Sequence, residues 1–324
     1  MKTCLPGQPE KALPDVRRLP QTRYLRWGFT LLLLLITGYF LDLTVLGREL
    51  AQFSLLALLA AMVVSVAQVV LSAWRWCYTA RRLGLVLPMA VAVREYYLAT
   101  LLNQVLPGGV LGDVNRAWRH SLDSGARLAS AHAVMIERLS GQLVMIAVAL
   151  GLGGWLVWHR HGMLEALSEY GERVLLLLAG LVAIVVLVAS LWQRAKRYVH
   201  ALRRDLRQAL LEWPALGIQI VSSAGVVTSY LAVFSLLALG AGYWTDPHMA
   251  LVLMSLCSLL LLVMAIPVTV AGWGVREGAA ALLWPMAGLP AEQGVALSVG
   301  YGLAVLLSSL PGALFVFTRR QSNG

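Results

Sequence analysis

Leu106-Pro107-Gly108-Gly109-Val110-Leu111-Gly112-Asp113-Val114-Asn115-Arg116 and Ile266-Pro267-Val268-Thr269-Val270-Ala271-Gly272-Trp273-Gly274-Val275-Arg276-Glu277 are two polar, glycine-rich segments set between long apolar stretches. Aligned on proline, both spell P-x-x-V-x-G-x-x-x-R. Pro107 matches Pro267, Val110 matches Val270, Gly112 matches Gly272 and Arg116 matches Arg276. Shared helix breakers and a shared terminal arginine at one spacing read as a repeat.

The flanking composition sets the solvent. Hydrophobic residues make up 59% of the 324 residues and charged residues only 13%, with a mean hydropathy of +0.74. Soluble chains carry about a quarter charged residues, so this is an integral membrane protein. Runs of about 20 apolar residues cross a bilayer, and such runs lie near 27–46, 51–74, 129–157, 173–192, 216–239, 249–266 and 292–317. Two shorter ones, 96–111 and 276–289, are borderline. The fold class read from this pattern is an all-α polytopic membrane protein, with about six to eight transmembrane helices and two re-entrant or broken helical hairpins in an inverted repeat. A tail at 1–25 precedes a single transmembrane domain at 26–318, which holds re-entrant loops near 96–116 and 249–289 and a basic interfacial segment at 194–212; a short tail follows at 319–324.

Lys and Arg near the ends of the spans give orientation. Lys11, Arg17, Arg18, Arg23 and Arg26 precede the first span and put the N-terminus in the cytoplasm. Arg75, Arg81 and Arg82 follow the second span, and Arg116, Arg119 and Arg127 lie beyond the first motif, so that side is cytoplasmic too. The stretch 194–207 holds six Lys and Arg residues, and Arg319 and Arg320 place the C-terminus inside. By this parity the two motifs dip into the membrane from opposite faces, with a polar cavity expected between them. Two full spans at 249–289 satisfy the same parity.

The net charge of +10 follows from cytoplasmic Lys and Arg and points to no nucleic acid. Residues 194–210, RAKRYVHALRRDLRQAL, read either as an interfacial helix drawn to anionic lipid or as a plain positive-inside loop. Cys4, Cys77 and Cys257 lack motif spacing and the histidines are scattered, so neither a metal nor another cofactor is expected. No nucleophile elbow, H-E-x-x-H or paired D-x-D is present, so an enzyme is not expected.

Ionisable residues at membrane depth carry the functional signal, because each costs roughly 2.5–3.5 kcal/mol at a helix centre and therefore faces a cavity or a partner. Asp113, Arg116, Glu137, Arg138, Arg276 and Glu277 are the candidates. Arginine captures phosphate in a bidentate fork, and glycine lets backbone N–H groups approach an anion. The other reading makes the glycines hinges or packing residues and holds the arginines in pairs with Asp113 and Glu277. Both hold if a substrate phosphate partly replaces an internal ion pair.

Asn103, Pro107-Gly108-Gly109, Gly112-Asp113 and Arg116, then Glu137-Arg138 with Gly141, then Pro267, Gly272 and Gly274-Val275-Arg276-Glu277 together resemble the flippase-like transmembrane domain of lysylphosphatidylglycerol synthases and their stand-alone relatives, over roughly 25–320. The resemblance implies movement of lipids between leaflets. By position, it implies a substrate site built from Asn103, Pro107, Gly108, Gly109, Gly112, Asp113 and Arg116, supported by Glu137 and Arg138, with Gly272, Trp273, Gly274, Arg276 and Glu277 as the second loop. It departs from the family at Val268-Thr269-Val270-Ala271 and at the bulky Trp273, which suggest a stiffer second loop. The lysyl-transferring members carry a soluble catalytic domain after the membrane part, and this chain ends at Gly324, so the expectation is a translocator and not a synthase. Its expected partners are anionic or polyprenyl-phosphate lipids of the cytoplasmic membrane, and enzymes of envelope glycan or lipid synthesis. Protonation of Asp113, Glu137 or Glu277 would couple inward transport to a proton gradient. The alternative is an accessory membrane subunit of such a synthesis system, in which loop substitutions are tolerated.

Overall fold

The computed structural model describes residues 41–106, 109–159, 196–264 and 270–315, with isolated positions between 28 and 39. The expected span at 173–192, both termini, Pro107 and Gly108, and Pro267 lie outside the described residues. The described residues form helices α1 Leu43–Ala51, α2 Leu55–Arg82, α3 Met89–Val105, α4 Leu111–Ser124, α5 Arg127–His159, α6 Lys196–Leu206, α7 Ala215–Gly240, α8 Pro247–Met264, α9 Val275–Met286 and α10 Ala291–Ser309. A wide turn, Arg207–Leu211, follows α6, and a 3₁₀ turn, Leu310–Phe315, extends α10.

Five of these elements are long and apolar enough to cross a membrane: α2, α5, α7, α8, and α10 with its extension. They match the expected runs at 51–74, 129–157, 216–239, 249–266 and 292–317, with one informative difference. α2 does not stop before Arg75 but continues to Arg82, and Arg75 is buried within it. The first expected run, 27–46, also ends early. Asp42 caps a new helix by accepting from the N–H groups of Thr44 at 2.8 Å and Val45 at 3.2 Å.

The borderline runs resolve into two hairpins, α3–α4 and α8–α9. α9 has 12 residues, a rise of about 18 Å, shorter than a hydrocarbon core of about 30 Å. In the first hairpin the helices touch at Gly112, where a Cβ would stand 2.0 Å from the carbonyl oxygen of Ala99. In the second, the link runs through left-handed backbone at Ala271, Gly272 and Gly274. At the N-terminal end of α8, the backbone N–H of Met249 holds the Asp246 carboxyl below the usual carboxylate range.

α4 is amphipathic in the inverse sense to a helix in water. It buries Gly112, Asp113, Arg116 and His120 and exposes Val114, Trp118 and Leu122. The outside solvent here is lipid, so polar groups turn inward. The main apolar core joins α7, α8 and α10, with Phe234 stacked on Tyr301 at 4.2 Å. The basic segment is helical from Lys196, exposes Arg204 and Arg207, and buries Asp205, Ala209 and Leu210. Arg82 donates to the Gln208 carbonyl at 2.7 Å, joining two basic stretches that the charge count puts on one side. On the other side of the count, Tyr243 donates to Glu49.

Candidate functional site

Five charged side chains from three helices form an alternating chain. Arg75 Nη1 of α2 lies 3.5 Å from Glu137 Oε1 of α5. The other oxygen of Glu137 meets Arg116 Nη2 of α4 at 2.6 Å. Arg116 Nε reaches Asp113 Oδ1 at 2.9 Å, and Asp113 Oδ2 meets Arg138 Nη2 at 2.6 Å. Asp113 and Arg116 share a face because they stand three residues apart on α4. Asp113 also sits in the first turn of that helix, where the dipole favours a negative charge.

Buried ions survive only when hydrogen bonds replace their water. Arg116, wholly buried, is further clamped between the rings of Trp76 at 4.8 Å and Tyr96 at 4.4 Å. Arg75 donates to Ser140 Oγ at 2.7 Å and to the Glu137 carbonyl at 3.0 Å. Asn103 spans the hairpin: its Oδ1 accepts from the Gly112 N–H at 2.8 Å and its Nδ2 donates to Asp113 at 3.3 Å. Arg138 is the open end of the chain, with a side chain 41% exposed.

The second loop builds a smaller, neutral cluster. Glu277 accepts from the Gly274 N–H at 2.6 Å, and its other oxygen lies 2.9 Å from Arg276. Ser298 of α10 bridges the pair, accepting from Arg276 Nε at 2.6 Å and donating to Glu277 at 2.8 Å. Trp273 and Tyr301 lie against the guanidinium at 5.1 and 5.4 Å. Gly302 makes this possible, since a Cβ there would meet Arg276 Nη2 at 2.5 Å.

A cavity of about 680 Å³ joins the two loops. Asp113, Glu137, Arg138 and Arg75 line it on one side, and Ala271 and Gly272 on the other. Of the residues expected from sequence, Asn103, Gly109, Asp113, Glu137, Arg138 and Gly272 line this space. Gly112, Arg116, Trp273, Gly274, Arg276 and Glu277 stand behind the wall, while Pro107 and Gly108 fall outside the described residues. Arg75 and Tyr96, whose hydroxyl donates to Glu137 at 3.2 Å, belong to the site although the motifs do not contain them. The signal for Arg75 was present as a polar stripe on an apolar helix: Gln68, Ser72, Arg75 and Thr79 recur every three or four residues. Among the described residues, no group of three His, Cys, Asp or Glu side chains could hold a metal.

The family model for the lysylphosphatidylglycerol synthase TM region matches residues 25–312. No curated protein and no solved structure matches.

Proposed function

The chain belongs to the lysylphosphatidylglycerol synthase transmembrane region family, and from this premise we propose that it is a lipid translocase that passes an anionic, phosphate-bearing headgroup through the cavity between its two hairpins. The charge chain carries this reading. Among the described residues, Arg75, Arg116 and Arg138 pair with Asp113 and Glu137, which leaves one positive charge in the chain, and Arg127 also lines the cavity of about 680 Å³. An unbalanced cation at membrane depth is costly unless an anion visits it.

Arg138 is the capturing residue, because its guanidinium is the exposed end of the chain and a phosphate oxygen can take the place of Asp113. Arg75 is the second contact, on the opposite helix. Arg116 and Arg276 hold the two hairpins in shape and act through their neighbours. The acyl chains stay in lipid, against the apolar outer face of α4. Rocking of one hairpin against the other then exposes the cavity to each leaflet in turn. The Lys and Arg distribution supports a cytoplasmic membrane location with both termini inside.

Reconstitution tests this. In proteoliposomes with fluorescent or reducible anionic lipids, the wild type should accelerate leaflet exchange, and Arg138→Ala should lower the rate by about tenfold or more, as loss of a charged hydrogen bond implies. Folded protein that moves no anionic lipid would overturn the translocase and leave the accessory-subunit reading.

A further inference from the structure

On the α2–α3 side of the cavity the lining beyond the charge chain carries polar, uncharged side chains spaced along the two helices. α2 and α3 are joined by the link at 83–88 and pack against each other, so both lead away from that link along the cavity. Counted from the link, Arg75 and Tyr96 come first, Ser72 and Thr100 next, and Gln68 and Gln104 furthest; all six line the cavity. From Arg75 to Gln68 the helix rises about 10 Å.

Gln68 Oε1 and Gln104 Oε1 are both buried without a hydrogen-bond partner. At membrane depth such an acceptor is expensive to leave unmet. Two of them in the lining of one cavity ask for a ligand with donors. A hydroxyl answers best, because it donates and accepts at once and so satisfies an amide whichever end of it faces the cavity. The charge chain below has three arginines and two carboxylates, and Arg127 lines the same cavity, so the lining favours an anionic occupant.

We propose that the cavity selects an anionic phosphodiester lipid whose headgroup carries hydroxyls, a glyceryl or glycosyl phosphate, with the phosphate at Arg75 and Arg138 and the hydroxyls read by Gln68 and Gln104. This rests on the translocase reading for its site and names what that site selects. A phosphomonoester brings no headgroup hydroxyl and leaves both amides unmet. A phosphodiester with a bare alkyl headgroup matches the charge and leaves the amides unmet.

The test compares lipids of equal charge. Binding to purified protein in detergent and initial rates in proteoliposomes are measured for phosphatidylglycerol against phosphatidylethanol, and for a polyprenyl phosphohexose against a polyprenyl methyl phosphate; the two pairs separate a glyceryl from a glycosyl source. The hydroxyl-bearing member of at least one pair should bind about 3- to 10-fold more tightly, as one or two neutral hydrogen bonds imply. In Gln68→Leu with Gln104→Leu that ratio should fall towards one, and in Gln68→Asn, which keeps an amide, part of it should remain. A wild-type ratio near one in both pairs overturns the headgroup assignment whether or not the variants fold, and so does a ratio that survives the double substitution. Preference in binding without any translocation overturns the translocase and keeps the assignment.

Discussion

Glu137 shows how little a single charged side chain says by itself. In sequence it is a carboxylate two turns into an apolar run, equally at home at an interface. In the fold it holds Arg75 at 3.5 Å and Arg116 at 2.6 Å and accepts from Tyr96. Removing one partner of a buried ion pair leaves the other charge unmet, which costs about 3–5 kcal/mol. Glu137→Gln should therefore destabilise the protein by about that amount, read as reversible unfolding in mixed micelles, because two guanidiniums lose their counter-charge together. A change below about 1 kcal/mol, the range of surface pairs, would show that the chain is not closed at this point. Asp113, Arg116 and Arg138 were legible as charges in the wrong solvent. Which of them line the cavity was not, since that depends on which side of α4 and α5 each faces.

Helices and hairpins were the most legible elements. Local hydrophobicity sets where a helix can cross, so the observed spans fall where the apolar runs are, and Pro and Gly mark where the hairpins turn. Gly112 is the sharpest case. A methyl group there would stand 2.0 Å from the Ala99 carbonyl, so Gly112→Ala must part α3 from α4 and disturb the Asn103 bridge. Overpacking of this kind costs about 1–3 kcal/mol, and both stability and leaflet exchange should fall. Gly151→Ala is the control, since a Cβ in that part of α5 meets nothing within 4 Å and alanine favours a helix; it should leave unfolding unchanged or slightly later. Equal effects of the two substitutions would remove close helix approach as the reason for Gly112. Spacing alone did not reveal the polar stripe of α2 as a wall of the site, because a stripe on one helix faces either a neighbour or a cavity, and only α5 and α7 decide which.

At the scale of the whole molecule, moving one charge across the membrane is worth about 2.3 kcal/mol per 100 mV, or about a 50-fold ratio at equilibrium. An uncoupled translocator should let a trace monoanionic lipid accumulate in the outer leaflet by up to about that ratio at 100 mV, inside negative, and leave zwitterionic phosphatidylcholine evenly spread. Dithionite quenching of labelled lipid under a potassium diffusion potential measures it. Inward accumulation against that potential would mean an added driving force, such as proton uptake by a carboxylate of the charge chain. Composition and periodicity by themselves settled that the chain lives in a membrane, where its described spans lie and which two loops break them, because these are properties of a segment and its solvent. Tertiary structure alone decided that Arg75 turns inward, that Arg116 is paired with Glu137 and Asp113 and Arg276 with Glu277 and Ser298, and that both loops border one cavity. The reason is physical: whether a buried charge is a tie or a binding site depends on the groups opposite it, and those come from helices far apart in the chain.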